Sequence, residues 1–369
     1  MSINTVMVIF GGVSTEHLIS GRSAYNIIKG LQSAGLRVLP VGITCEGEWL
    51  LYQGDYELIK EGTWAEQIQS GNKNKEEHRN KMAMPMSVKG WIEAIAGELP
   101  DCIFPAVHGI NCEDGALQGL LQLSGIPYVG CHVLASAAGM DKCHSKIVFA
   151  KAGIPQCRYV AVRRAELDSD LDAVVKKIET ELGYPCFLKP NQGGSSVGTS
   201  RASNRSELVE ALNYVAGFDR IVLVEEFVDA REIEVAVMGN EKPETAVIGE
   251  VATAENIDYY DYETKYFSDV GASIHLPANL SESQQELIRE YAVTAWQALG
   301  CNGLSRVDFF LTDNGKIYIN EINTMPGFTP ISIFPQAFAA SGWSIDKLTY
   351  RLCELAVEDF AAGQRKELI

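Results

Sequence analysis

The stretch from Gly303 to Gly327, GLSRVDFFLTDNGKIYINEINTMPG, leaves fewer folding options than any other in the chain. Two runs of β-formers flank Asn314-Gly315. That dipeptide is the strongest short hairpin signal, because both central residues of a type I′ turn take positive φ. Counting outward from such a turn, with Asp313 opposite Lys316, Asp308 falls opposite Glu321 and Arg306 opposite Asn323. Directly opposed carboxylates repel and weaken the pairing. Two environments relieve the repulsion. One is a divalent cation: the all-oxygen set Asp308, Glu321 and Asn323 suits Mg²⁺ or Mn²⁺ bridging to phosphates. The other is bulk water over an acidic face. The hairpin alone leaves both open.

A chain of 369 residues has room for about two or three domains and a sizeable core. Its net charge of −17 argues against a general binder of nucleic acid or anionic membranes, while leaving room for a local lysine-lined anion site. Nine cysteines are scattered without a CxxC pair, the usage of reduced thiols in a cytoplasmic protein rather than a disulfide framework or zinc site. The opening MSINTVMVIFGG lacks a basic n-region, and no apolar run reaches the ~18 residues of a membrane span. A soluble cytoplasmic protein is expected.

The first third of the chain alternates strands and helices. Residues 6–10 read as a buried parallel strand ending in Gly11-Gly12, followed by a helix over 21–32 and a strand over 37–43. The loop GGVSTEH lacks G-x-G-x-x-G, which argues against a dinucleotide-dependent oxidoreductase. Residues 52–98 carry little signal, and 71–81 read as a polar excursion. A strand over 101–107 delivers His108, a helix stops at Gly125, and a short strand over 126–130 follows. Further on, helices are expected through MDKCHSKIVFAKAG and over 167–182, 206–216, 281–299 and 344–362. Ser281 and Gln284 form a capping box for the fourth of these. Strands are expected over 158–162, 186–189, 221–227, 232–238 and 245–251. Antiparallel pairing should dominate beyond residue 186, giving a mixed α/β architecture.

Three loops or strand ends carry candidate chemistry. The segment NQGGSSVG after Lys189 is able to wrap bare backbone N–H groups around phosphate oxygens, or to be a plain flexible loop; no Lys-Ser/Thr closes it as a Walker loop. In IVLVEEF an apolar strand turns acidic at Glu225 and Glu226, as adenine and ribose acceptors do, and as solvated strand ends also do. Residues 252–273 form a long loop containing YYDYETKYFSD, whose tyrosines and Lys265 favour a lid over a linker.

Taken in order, GGxSxEH, HGxxxEDGxLQG, MDK, Lys-Pro followed by GGSSVG, YDYETKY, SRVDFF and NEINTMPGFT resemble the D-alanine–D-alanine ligases, ATP-grasp enzymes of cell-wall precursor synthesis. The resemblance spans roughly residues 5–360. It implies an α/β, three-domain ATP-grasp architecture with an N-terminal Rossmann-like (pre-ATP-grasp) domain. The expected divisions are an N-terminal substrate domain over 1–132, a central subdomain over 133–227, and a C-terminal subdomain with lid and metal hairpin over 228–369. It further implies ATP and two D-alanines as substrates, two Mg²⁺ or Mn²⁺ ions, and a homodimer.

By resemblance, Asp308, Glu321 and Asn323 match metal ligands. Lys142 and Lys189 match phosphate lysines, and Ser195 and Ser196 lie in the glycine-rich lid over the phosphates. Glu225, Glu226, Val228 and Glu232 fall at the adenine and ribose contacts. Arg306 and the N–H of Gly327 match the oxyanion donors. Glu16 matches the grip on the first ammonium, joined by Ser195 and Tyr266. His108 matches a histidine near the acceptor amine, or is a structural strand-end residue. Lys265 and Ser332 match groups on the transferred phosphate and the second carboxylate. The YDYETKY run implies an amine acceptor over D-lactate, with D-Ala-D-Ser and D-Ala-D-Lac ligation as the alternatives. Four positions depart from the usual pattern: Gly21, expected to widen the first-substrate pocket, and Cys112, Glu226 and Pro330.

Overall fold

A computed structural model describes residues 2–66, 87–253 and 272–364. The unbroken apolar run at the start forms β1 (Thr5–Gly11), buried at every position. It is followed by α1 (His17–Ser33), β2 (Arg37–Ile43), β3 (Trp49–Leu51), α2 (Tyr56–Glu61), α3 (Val88–Ala96), β4 (Cys102–Pro105) and α4 (Ala116–Ser124). The strands make a sheet in the order β3-β2-β1-β4, with β1 parallel to both β2 and β4. Parallel neighbours on both sides explain why β1 does not alternate.

The middle of the chain supplies α5 (Val133–Met140), α6 (Lys142–Lys151), β5 (Tyr159–Arg163), α7 (Arg164–Glu181), β6 (Cys186–Pro190), β7 (Ser200–Ala202), α8 (Arg205–Val215) and β8 (Ile221–Glu226). Its antiparallel sheet runs β5-β8-β6-β7. The remainder consists of β9 (Arg231–Gly239), β10 (Glu244–Thr245), β11 (Gly249–Thr253), β12 (Ala272–His275), α9 (Glu282–Leu299), β13 (Gly303–Leu311), β14 (Ile317–Asn323), α10 (Ile333–Ala340) and α11 (Ile345–Ala362). Here the sheet order is β12-β11-β9-β13-β14, with β10 on β9. The first and third sheets share a core, in which Val8 and Phe10 belong with Phe334, Phe338, Leu348 and Leu352. The central sheet keeps its own, around Val175, Leu188 and Leu212.

The hairpin reaches the expected opposition by a different route. Gly315 takes φ +78°, but Asn314 does not turn left-handed. Gly315 N–H donates to Thr312 O at 2.9 Å, so the turn spans one more residue than a two-residue loop. Near the turn Leu311 therefore pairs with Ile317 and Phe309 with Ile319, one residue off the count. A bulge between Asp308 and Phe309, with Asn320 as the extra residue, corrects the offset. Asp308 then opposes Glu321 and Arg306 opposes Asn323, as expected.

Other expectations need correction. The strand expected over 126–130 is a single bridge from Ile103 to Tyr128. The one expected over 245–251 is split into β10 and β11. Helices α2 and α3 occupy the low-signal region, and both carry side-chain caps that were available to read: Asp55 accepts from Glu57 N and Ser87 from Gly90 N. Helix α10 was also missed. The polar segment 71–81 and most of the loop over 252–273 lie outside the described residues.

Candidate active site

A cleft of about 350 Å³ opens where the central sheet faces the hairpin face of the third sheet. Lys142 enters it as the first residue of α6, whose N-terminus is capped by Asp141 accepting from His144 N at 3.0 Å. Lys142 Nζ donates to Gly193 O at 2.8 Å and lies 3.2 Å from Glu321 Oε2. Lys189, at the end of β6, reaches Asn320 Oδ1 at 3.0 Å and Glu225 Oε2 at 2.5 Å. Asn320 is the bulge residue, so the register correction also supplies this lysine with a neutral acceptor. Lys146 takes the other oxygen of Glu225 at 2.5 Å and is only 2% exposed. Sequence reading missed Lys146. Its i,i+4 spacing from Lys142 on one helix was the available signal.

These cations set the charge states around them. Burial disfavours the Lys189 ammonium, but Glu225 and Glu321 outweigh it and hold its pKa above the usual lysine value. Burial likewise opposes ionised Glu321, yet Lys142, Lys189 and Arg306 bring it down to about 2. The wall thus keeps fixed positive charge beside an ionised carboxylate, which suits phosphate oxygens bridged by a cation.

The hairpin face carries Arg306 and Asp308 two residues apart on β13, hence on one side of the sheet. Arg306 Nε and Nη2 donate to Asp308 Oδ1 and Oδ2 at 2.8 and 2.7 Å, and Nε also lies 2.9 Å from Glu234 Oε2. Burial raises Asp308 to about 7, against this bidentate guanidinium. Asp308 and Glu321 face one cleft as cross-strand neighbours, a donor pair that fits Mg²⁺ or Mn²⁺. Among the described residues no three acidic, histidine or cysteine side chains form a complete protein cage. A cation here would take its remaining ligands from phosphate and water, the usual habit of Mg²⁺. Asn323 faces Arg306, and its Oδ1 accepts from Met325 N at 3.0 Å.

The opposite wall comes from the first sheet. Glu16 is 7% exposed and accepts a hydrogen bond from Ser195 Oγ, which ties the loop after β6 to the loop after β1. Ser195 and Ser196 take φ +51° and +57°, a left-handed pair that turns successive N–H groups toward one side. His108 is 5% exposed, and burial lowers its pKa, so it is neutral. Ser23 Oγ accepts from Phe328 N at 3.1 Å and shares a hydrogen bond with His108 Nε2 at 3.2 Å. Ser23 was missed by sequence. It links the strand-end histidine to the turn carrying Gly327. Glu113 was missed too. Its Oε1 accepts from Gly109 N at 3.0 Å, and its buried Oε2 has no hydrogen-bond partner among the described residues. Burial, reinforced by Glu16, raises it to about 8.

The remaining predicted residues fall as follows. Glu225, Glu226, Val228, Glu232, Ser195 and Ser196 all line the cleft. Ser332 stands at the N-terminal end of α10, where its Oγ accepts from Thr329 N at 3.1 Å rather than from the helix, beside Gly327. Tyr266 and Lys265 lie outside the described residues. Of the departures, Gly21 does not widen a pocket: a Cβ there would stand 2.3 Å from Ile59 O, so glycine lets α1 and α2 touch. Glu226 is held by Arg158 through Nε at 2.7 Å. Cys112 is buried, with its thiol pushed up to about 12. Pro330 O accepts from Gln336 Nε2 at 2.8 Å, which ties the turn before α10 to that helix.

Two sheets closing on a cleft of lysines and paired carboxylates, behind a parallel α/β domain, define an ATP-grasp protein. Within that class the chain belongs to the D-alanine–D-alanine ligase family. The family profile described as D-ala D-ala ligase N-terminus matches residues 5–131, and the corresponding C-terminus profile matches 148–354. The chain is 46% identical to the D-alanine–D-alanine ligase of Acetivibrio thermocellus, over 96% of each protein. It is also 46% identical to that of Ruminiclostridium cellulolyticum, over 99% of this chain and 98% of the relative. Among solved structures it is similar to the VanG D-Ala:D-Ser ligase from Enterococcus faecalis, with a TM-score of 0.79 at 34% identity, covering 96% of this chain and all 100% of that one. The D-alanine-D-alanine ligase from Coxiella burnetii also gives 0.79, at 32% identity, covering 97% of this chain and 96% of that one. Among the described residues no helix is long and apolar enough to cross a membrane.

Proposed function

We propose that the protein joins two D-alanine molecules with ATP, through an acyl phosphate, giving D-alanyl-D-alanine, ADP and phosphate for peptidoglycan precursor synthesis. The observation that carries this proposal is the meeting, on one cleft, of phosphate-seeking lysines with a strand that holds both a metal-type carboxylate, Asp308, and a guanidinium paired to it, Arg306. Hydroxide is a poor leaving group, so a carboxylate needs activation. One oxygen of the first D-alanine attacks the γ-phosphorus and ADP departs. The second D-alanine's amine then attacks the acyl carbon, loses a proton, and phosphate leaves.

Each residue has a part in this scheme. Lys142 and Lys189 neutralise the phosphates, beneath the N–H groups around Ser195 and Ser196. Asp308 and Glu321, with Asn323, would hold two Mg²⁺ or Mn²⁺ ions, which supply charge neutralisation at the triphosphate. Arg306 and the N–H of Gly327 donate to the acyl oxygen as it becomes an oxyanion, each worth about 2.7–4 kcal/mol in such sites. Glu16 takes the first substrate's ammonium, and Glu113 beside it, raised to about 8, stays protonated at neutral pH. Glu225, Glu226, Val228 and Glu232 receive the adenosine. Neutral His108 braces Ser23 and the Gly327 turn, and Ser332 meets the second carboxylate. Tyr266 and Lys265 belong to the lid in this scheme. A cytoplasmic homodimer is part of the same proposal and rests on the family resemblance.

The test supplies ATP and Mg²⁺ with D-alanine alone, with added D-serine, and with added D-lactate, and measures phosphate release and product mass. Phosphate and D-alanyl-D-alanine from D-alanine alone are expected. The likeness to a D-Ala:D-Ser ligase gives the second mixture its point: preference for D-serine would move the assignment to that acceptor. Dominant D-lactate coupling would overturn the expected amine acceptor, and no release in any mixture would end the ligase assignment.

A further inference from the structure

Glu234 does not figure in the expected constellation, yet it stands directly beside Asp308. It pairs across β9 and β13 with Asp308, and Asp308 pairs across β13 and β14 with Glu321. The three carboxylates form one row over three adjacent strands. Glu234 is 7% exposed, lines the same cleft, and has Arg306 as its ion-pair partner among the described residues, at 2.9 Å from Nε. Arg306 in turn gives Nε and Nη2 to Asp308.

We propose that Glu234 is the positioning residue for Arg306, holding the guanidinium by Nε so that its Nη groups reach the acyl oxygen when Asp308 is engaged by a metal ion. This inference rests on the ligase assignment given above. Asp308 has two claimants. A divalent cation on its oxygens draws off their charge and repels the guanidinium, so loading Asp308 weakens its hold on Arg306. Without a second carboxylate, loading Asp308 would strand a buried arginine, which is strongly unfavourable. Glu234 removes that conflict. It offers a fixed anion on the side of the row away from Glu321, at the Nε edge of the guanidinium. Glu234 is itself poorly placed to ligate an ion shared by Asp308 and Glu321. It lies two strand spacings, about 10 Å, from Glu321 along the row, and metal–oxygen bonds are only about 2.1 Å.

The test is a double-mutant cycle with Glu234→Gln and Arg306→Met, read by steady-state rates and by Mn²⁺ affinity for the enzyme–ADP complex in paramagnetic resonance titration. Glu234→Gln should lower kcat about tenfold or more with the KM for ATP within about twofold, since one oxyanion donor is misplaced. It should also weaken Mn²⁺ several-fold, because Arg306 then stays on Asp308. In the Arg306→Met background the same substitution should change neither quantity by more than about twofold. Glu234→Asp should recover part of kcat. Multiplicative losses in kcat, or a Mn²⁺ effect that persists without Arg306, would overturn the proposal by showing that Glu234 acts independently. The Mn²⁺ cycle reads this coupling whatever the acceptor, while a wild-type protein that makes no dipeptide counts against the ligase assignment alone.

Discussion

At the scale of single residues, Glu113 shows how burial adds chemistry that a motif does not state. Its folded pKa of about 8 lies above the 4.5 of a free glutamate, so between those values the folded protein keeps a proton that the unfolded chain has lost. Stability from this group is complete below about pH 4.5 and is lost as pH rises through 8. Glu113→Gln keeps the acceptor for Gly109 N and removes the titration. Its stability relative to wild type should be flat below about pH 3.5 and grow by up to about 5 kcal/mol toward pH 8.5 in urea unfolding. Parallel curves would show that Glu113 is ionised in the folded state. The residues legible in sequence, such as Glu16, Ser195 and Arg306, sit in motifs whose order carries the resemblance. Lys146, Ser23 and Glu234 escaped because their roles depend on which charges are buried together. Spacing hinted at two of them: Lys146 at i,i+4 from Lys142, and Glu234 at i,i+2 from Glu232.

Among the elements, the hairpin was read correctly in outcome and incorrectly in mechanism. The Asn-Gly pair announces a turn, but its type depends on φ at Asn314, which the sequence does not determine. The bulge at Asn320 cannot be seen by counting at all, because pairing offsets leave no trace in residue order. Its consequence is functional: Asn320 and Glu321 share one face, one serving Lys189 and the other Lys142. Removing the Asn320 amide leaves the strand intact and takes a neutral acceptor from a buried ammonium. Asn320→Ala should raise the KM for ATP roughly 5–10-fold with a smaller effect on kcat, the size of a typical net hydrogen bond. An unchanged KM would mean that Glu225 alone sets Lys189. Strongly periodic elements such as β2 and α9 were recovered almost to the residue. Short capped helices such as α2 and α3 were not, since a single turn or two of apolar pattern carries little weight beside the surrounding polar sequence.

Across the whole molecule, three sheets bring residues hundreds of positions apart to one cleft. Ser195 bonds Glu16, Asn26 bonds the carbonyl of Phe328 at 2.9 Å, and Ser23 bonds the Phe328 N–H. The segments around the first sheet are thereby tied to both the loop after β6 and the turn at Gly327 and Phe328. Motif order made this architecture legible through resemblance. The sharing of one core by the first and third sheets was not legible, because it depends on which apolar faces meet. The central claim is that this assembly couples phosphate transfer to carboxylate activation. Incubation of the protein with ATP, Mg²⁺ and D-alanine labelled with ¹⁸O at both carboxyl oxygens tests it directly by mass spectrometry of the released phosphate. Passage through an acyl phosphate transfers one labelled oxygen to each phosphate formed, in step with dipeptide. Unlabelled phosphate, with its fourth oxygen drawn from water, would contradict it.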